Sequence, residues 1–235
     1  VKQHEEPIES KEITILLSDL RGFSAMAEKC TNEVVIGMLN RYFTTMGVVI
    51  KKYGGTIDKY MGDSIMVLFS DQLDPEEELE SAIACAVEMQ MAMAEVNGVN
   101  KAKGDPELHM GIGINTGVVV AGQVGSDMHR EYTVIGDEVN LASRIESHSL
   151  RGQVLISENS YQKSKKYISV GDESEVFVKG KSKKVKLYEL IYTLQPEKLE
   201  VPRYEIRHSP RVEVDMPVNY QCLIGKTVSI EVLTG

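Results

Sequence analysis

Two aspartates and a pair of polar residues on a helix have the types and spacing to do chemistry in this chain. Asp19 stands where a nearly continuous apolar run, residues 13–20, gives way to Arg21-Gly22-Phe23. Asp63 lies 44 residues later in Met61-Gly62-Asp63-Ser64, between two strand-like runs and just after Lys59. If both ends meet at one sheet edge, two hard oxygen ligands come together. Such a pair, completed by phosphate oxygens and water, suits Mg²⁺, which rarely has an all-protein cage. Two metal ions on a phosphate can activate an attacking oxygen and stabilise a leaving one. Taken alone, Asp63 is equally well read as a turn former. The third element is residues 138–146. Leu141, Ala142 and Ile145 share one side of a helix there, and Asn140 and Arg144, at i and i+4, share the other with Ser143 beside them. An amide and a guanidinium projecting together can grip a sugar oxygen and a phosphate. A plain solvated face has the same pattern.

These groups need a scaffold, and the hydrophobic pattern supplies one. Residues 13–20 read as a central strand buried on both faces. Thr31 or Asn32 caps a helix to about Lys52, whose stripe of Val35, Leu39, Tyr42, Met46 and Val49 faces a core. Gly54-Gly55 ends it. A hairpin follows, with strands over 56–60 and 65–69 around the Gly62-Asp63 turn. After an acidic loop containing Pro75, a second helix runs to about Val96, and 97–106 read as a turn-rich loop. Two strands, 108–114 and 118–124, flank a turn at Asn115-Thr116-Gly117, and their glycines suggest close packing or close approach of a ligand. A short strand at 132–135 precedes the helix that carries Asn140 and Arg144. A strand at 154–156, a short helix over 157–166, and an antiparallel pair at 176–179 and 185–192 close the unit. The order describes an α+β fold with a mainly antiparallel sheet covered by helices.

Composition narrows the class. The 235 residues carry a net charge of −9, which argues against nucleic acid as the main partner but leaves room for a nucleotide held by local cations. Cys30, Cys85 and Cys222 have neither disulfide nor metal-ligand spacing, which fits a reducing, cytoplasmic setting. No long apolar run suggests membrane insertion by this segment. The chain starts at Val1, as a fragment of a longer protein would, with an upstream sensor expected outside it. Residues 1–11 read as a tail, 12–192 as the main domain, 193–206 as a linker and 207–235 as the start of a second domain, too short to build a core alone.

Four segments together resemble the catalytic domain of class III nucleotidyl cyclases: Leu17-Ser-Asp-Leu-Arg-Gly-Phe-Ser24, Asp58-Lys-Tyr-Met-Gly-Asp63, Gly111-Ile-Gly-Ile-Asn-Thr-Gly117, and Tyr132-Thr-Val-Ile-Gly-Asp-Glu-Val-Asn-Leu-Ala-Ser-Arg144. The resemblance spans about Glu12 to Tyr192 and implies that family's fold, with a βαββαβ, ferredoxin-like core. It also implies roles. Asp19, Asp63 and the carbonyl of Leu20 would bind two Mg²⁺ or Mn²⁺ ions per active site. Lys59 and Thr133 would read the purine, Asn140 would orient the ribose, and Arg144 would stabilise the phosphate in the transition state. Lys179 is the candidate for a phosphate-contacting lysine, in a lysine-crowded stretch where a solvated face is an equal reading.

The implied reaction makes 3′,5′-cyclic AMP and pyrophosphate from ATP. Lysine can only donate, so Lys59 suits the acceptor N1 of adenine, while the Thr133 hydroxyl can accept from the adenine amine. Guanine inverts both groups. Because a hydroxyl can also donate, Lys59 carries most of this discrimination. The Lys/Thr pair resembles the bacterial branch of the family. The resemblance further implies a homodimer with two equivalent sites. One protomer would supply the metal aspartates, and its partner the base-reading pair, Asn140 and Arg144. A guanylyl cyclase and a nucleotide-binding module without turnover are the alternatives. Downstream, Arg207-His-Ser-Pro-Arg211 followed by residues 212–218 resembles the opening of PilZ domains. A complete domain of that kind would bind cyclic di-GMP, whereas this fragment lacks the second half of the motif.

Overall fold

The computed structural model describes residues 9–70, 74–126, 129–177, 184–203, 218–224 and 227–233. Strand β1 (Glu9–Leu20) leads through α1 (Phe23–Ala27) and α2 (Asn32–Lys52) to the hairpin of β2 (Thr56–Met61) and β3 (Ser64–Phe69). Helix α3 (Pro75–Lys103), β4 (Met110–Ser126), β5 (His129–Ile135) and α4 (Asp137–His148) follow. The unit closes with β6 (Val154–Ser157), α5 (Glu158–Ser164), β7 (Ile168–Val176), β8 (Val185–Thr193) and β9 (Leu199–Glu200). The sheet runs β2-β3-β1-β4-β6-β8-β7, with β5 paired to β4 and β9 to β8. Only β4 and β6 pair in parallel among the described strands. This is the expected α+β fold, and its first six core elements give the ferredoxin-like order β4-β1-β3-β2. Residues 204–235 form a separate unit, in which β10 (Val218–Ile224) pairs antiparallel with β11 (Thr227–Leu233). The PilZ-like stretch at 207–217 lies outside the described residues.

Strand β1 is buried on both faces. Ile13, Ile15 and Leu17 pack with Met66, Leu68, Val119, Ala121 and Ala142 under α4, while Leu16 and Leu20 join the larger core under α2 and α3. The alternation of the strand assigns these sides, and Asp19 falls on the α4 side. Buried hydroxyls within the sheet are paired: Thr14 with Thr116 at 2.9 Å, and Ser18 with Tyr42 at 3.1 Å.

Three sequence expectations are corrected. Strand β4 is continuous for 17 residues where a turn at 115–117 was expected. It pairs with β1 without interruption from Glu9↔Ala121 to Leu20↔Met110. The polar residues that mimic a turn have distant partners: Asn115 donates to the Glu138 carboxylate at 2.7 Å, and Thr116 accepts from Ser160 at 3.1 Å. Helix α3 runs on to Lys103 and stops at Gly104, whose φ is 76°. The Asn97 side chain exchanges two hydrogen bonds with the backbone of Leu108 and Asn100 bonds Pro106, so neither competes with its own helix. Strand β7 occupies Ile168–Val176, upstream of the expected 176–179.

Candidate active site

The hairpin turn is tight because Gly62 takes a φ of 65°, which a residue without Cβ adopts freely. It delivers Ser64 and Asp63 to the end of β1. Ser64 Oγ donates to Asp19 Oδ1 at 2.6 Å. Burial holds the Asp63 carboxyl above its usual range, and the neighbouring Asp19 charge adds to this; hydrogen bonds from the backbone of Asp63 and Leu20 and the charge of Arg21 oppose it. The structure therefore brings Asp19, Leu20 and Asp63 together at one sheet end, as the spacing of the motifs suggested. Two neighbouring carboxylates, one of them short of compensating charge, form a donor set that fits a divalent cation. Among the described residues no group of three or more His, Cys, Asp or Glu could hold a metal by itself. Further ligands would have to be backbone, substrate or water oxygens.

Arg21 ties this end to α4. Its Nη1 lies 3.2 Å from Asp19 Oδ2, and its Nη2 donates to Glu146 Oε1 at 2.5 Å, to Ser149 Oγ at 2.7 Å and to the Glu146 carbonyl. Burial and the Asp19 charge raise the Glu146 carboxyl, and Arg21 opposes them. The sheet lets α4 come this close because a Cβ on Gly113 would lie 2.3 Å from Glu146 N, and one on Gly117 2.6 Å from Glu138 Cγ. These glycines therefore serve close packing of α4 on β4.

Arg144 lies two residues before Glu146, about 200° round the helix at 3.6 residues per turn, so it leaves α4 on the opposite side. It is half-buried and Asn140 is exposed. Among the described residues the Arg144 guanidinium makes no hydrogen bond or ion pair; only its carbonyl is used, accepting from Ser147 at 2.8 Å. The chain thus does not bring Asn140 and Arg144 to its own aspartates. Lys59 and Thr133 do come together. Thr133 Oγ1 donates to Asp58 Oδ2 at 3.0 Å, and Lys59 Nζ lies 3.3 Å from the same oxygen. Lys179 lies outside the described residues.

Sequence reasoning gave no role to Asp58, Ser64, Arg21 or Glu146. All four sit inside or beside the quoted motifs. That adjacency is their signal, but their partners are set by tertiary register, which the motifs do not encode.

Known proteins similar to this chain are nucleotide cyclases. The model of the adenylate and guanylate cyclase catalytic domain matches residues 5–192. An adenylate cyclase of Anabaena cylindrica is 36% identical over 191 residues, and adenylate cyclase 1 of Rhizobium meliloti is 30% identical over 183. Each match covers 77% of this chain but only 37% and 28% of those longer proteins. Among solved structures, the guanylyl cyclase Cya2 superposes with a TM-score of 0.80 at 40% identity, covering 84% of this chain and all of that one. The adenylyl cyclase CyaB from P. aeruginosa gives 0.77 at 36%, covering 79% and 96%. With the match to the family model extending over most of its length, the chain belongs to the adenylate and guanylate cyclase catalytic-domain family.

Proposed function

We propose that this domain is an adenylyl cyclase that converts ATP to 3′,5′-cyclic AMP and pyrophosphate at sites shared across a homodimer. The observation that carries the choice of ATP is the convergence of Lys59 and Thr133 on one oxygen of Asp58, next to the turn that holds Asp63. An ammonium group has only donors, so Lys59 meets the acceptor N1 of adenine and clashes with the protonated N1 of guanine. Relatives from Anabaena and Rhizobium carry the name adenylate cyclase.

In the reaction the ribose 3′ oxygen attacks the α-phosphorus. The bond from that phosphorus to the bridging oxygen breaks, pyrophosphate leaves, and the 3′ proton is lost to solvent. Asp19, Asp63 and the Leu20 carbonyl would hold two Mg²⁺ or Mn²⁺ ions. Bound there, such ions lower the pKa of the hydroxyl and neutralise charge on the leaving group. Asn140 holds the ribose and Arg144 meets charge as it develops on the phosphate. Lys179 is a candidate for a further phosphate contact.

Two observations favour a shared site. Arg144 projects from the side of α4 opposite the one tied to its own Asp19. Val118, Val120, Tyr132 and Ile135 on β4 and β5 expose 45–60% of their surface beside Thr133, an apolar area of the kind that another chain covers.

The test is purified protein with ATP or GTP and Mn²⁺, the product identified by chromatography. Cyclic AMP is expected, and Asp63→Ala should abolish it; unchanged turnover in that variant would sink the metal assignment. A guanylyl cyclase is the second reading, favoured by the 40% identity to Cya2. Cyclic GMP as the main product would establish it.

A further inference from the structure

We infer that Asp58 is a specificity-determining positioning residue, which fixes the Thr133 hydroxyl as an acceptor and so makes it read adenine against guanine. The inference rests on the proposal that Lys59 and Thr133 face the purine. Strand β2 carries an irregularity where Ile57 pairs with Val67 and Lys59 with Met66, so Asp58 is an extra residue opposite no partner. In a regular strand Asp58 and Lys59 would point to opposite faces. A bulge can re-aim a side chain, and here the Asp58 carboxylate stands beside both Lys59 and Thr133. Its side chain is only 3% exposed. A carboxylate so withdrawn from water needs its hydrogen-bond partners from the protein.

A hydroxyl has one hydrogen, and that of Thr133 is donated to Asp58 Oδ2. Toward a bound base Thr133 Oγ1 then offers lone pairs only. These accept from the adenine amine and oppose the carbonyl oxygen of guanine. Without Asp58 the hydroxyl could rotate and donate to that carbonyl, and Thr133 would cease to discriminate. The sequence alone leaves the hydroxyl ambiguous. A neighbour at the bulge removes the ambiguity.

The experiment measures kcat/KM for ATP and for GTP in the wild-type chain, Asp58→Ala, Thr133→Ala and the double variant. Asp58→Ala should lower the ATP-to-GTP ratio about tenfold, the scale of one hydrogen bond in a dry site. The ratio should not move further when Asp58→Ala is added to Thr133→Ala. Both substrates see the same folded fraction, so the ratio is insensitive to partial unfolding. Should Asp58→Ala be inactive, Asp58→Asn keeps the shape, holds the hydroxyl proton less strongly and should move the ratio the same way by a smaller factor. An unmoved ratio in a wild type that selects ATP overturns this inference alone. A shift of equal size in the Thr133→Ala background also overturns it, because the effect would then run through Lys59. A wild type that takes GTP as readily as ATP overturns the reading beneath it as well.

Discussion

Gly113→Ala tests whether bare backbone on β4 positions α4. The added Cβ would lie 2.3 Å from Glu146 N and 2.6 Å from Glu146 Cα, whereas ordinary contact begins at 3.4 Å. Both obstacles are backbone, so neither can swing aside, and α4 must retreat by about 1 Å. Overpacking of this kind costs about 1–3 kcal/mol. For a domain of this size that is a fall in Tm of roughly 2–12 °C. The larger effect is on catalysis. The same helix carries Asn140 and Arg144 on one side and Glu146, the partner of Arg21, on the other. A misplacement of about 1 Å can cost about 100-fold in rate. The assay is cyclic nucleotide formation at saturating substrate with a thermal melt on the same preparation. Gly47→Ala is the control, since a Cβ there meets nothing within 4 Å and the position is helical. It should keep wild-type turnover and melt no lower. Wild-type turnover in Gly113→Ala, with the fold intact, would refute the claim that this contact sets the helix.

Two further outcomes are expected. Mixing Asp19→Ala with Arg144→Ala chains should restore one intact site per mixed dimer, about a quarter of wild-type activity under random pairing; no recovery with mixed dimers verified would count against the shared site. His109 is held below its usual pKa by burial and by the Arg151 charge. Its neutral form is thus favoured in the folded state, so stability is full above about 6.5 and falls as pH drops toward the lowered pKa. His109→Gln should flatten the decline in Tm between about pH 7 and 5, and an unchanged slope would assign it to other groups.

The parts legible in the sequence were those whose signals are local. The stripe of Tyr42, Met46 and Val49 marks α2, and Met61-Gly62-Asp63-Ser64 marks a turn that needs only a positive φ at Gly62. The misread parts have long-range causes. Asn115 and Thr116 look like turn residues until Glu138, Thr14 and Ser160 are placed against them. Asn97 and Asn100 look like helix breakers until the returning loop takes up their side chains. Strand β7 lies at the sheet edge and is charged, with Glu173 paired to Lys186 at 2.7 Å and Glu175 to Lys184 at 3.6 Å, so it lacks an apolar signature. In the site, the motifs pointed to Asp19, Leu20 and Asp63 as neighbours. The bulge at Asp58 was not readable, because it is a mismatch in count between two strands and neither strand alone reveals it.

The hairpin and α4 share one property that bears on the proposed function. Each presents chemistry in two directions. From β2, Lys59 turns with Asp58 toward Thr133 on β5, while the tip two residues beyond Met61 turns Asp63 toward Asp19 on β1. From α4, Glu146 turns toward Arg21 and Asp19, while Arg144 leaves on the far side. A single folded chain therefore holds a carboxylate cluster around Asp19 and Asp63, while the Arg144 guanidinium has no hydrogen-bond or ion-pair partner among the described residues. On the shared-site reading, folding and activity separate. A monomer can carry every contact that stabilises the sheet and still lack a phosphate-facing arginine at its own aspartates. Activity should then rise with the square of protein concentration below the dimer dissociation constant, while the melting curve below that concentration stays that of a folded chain.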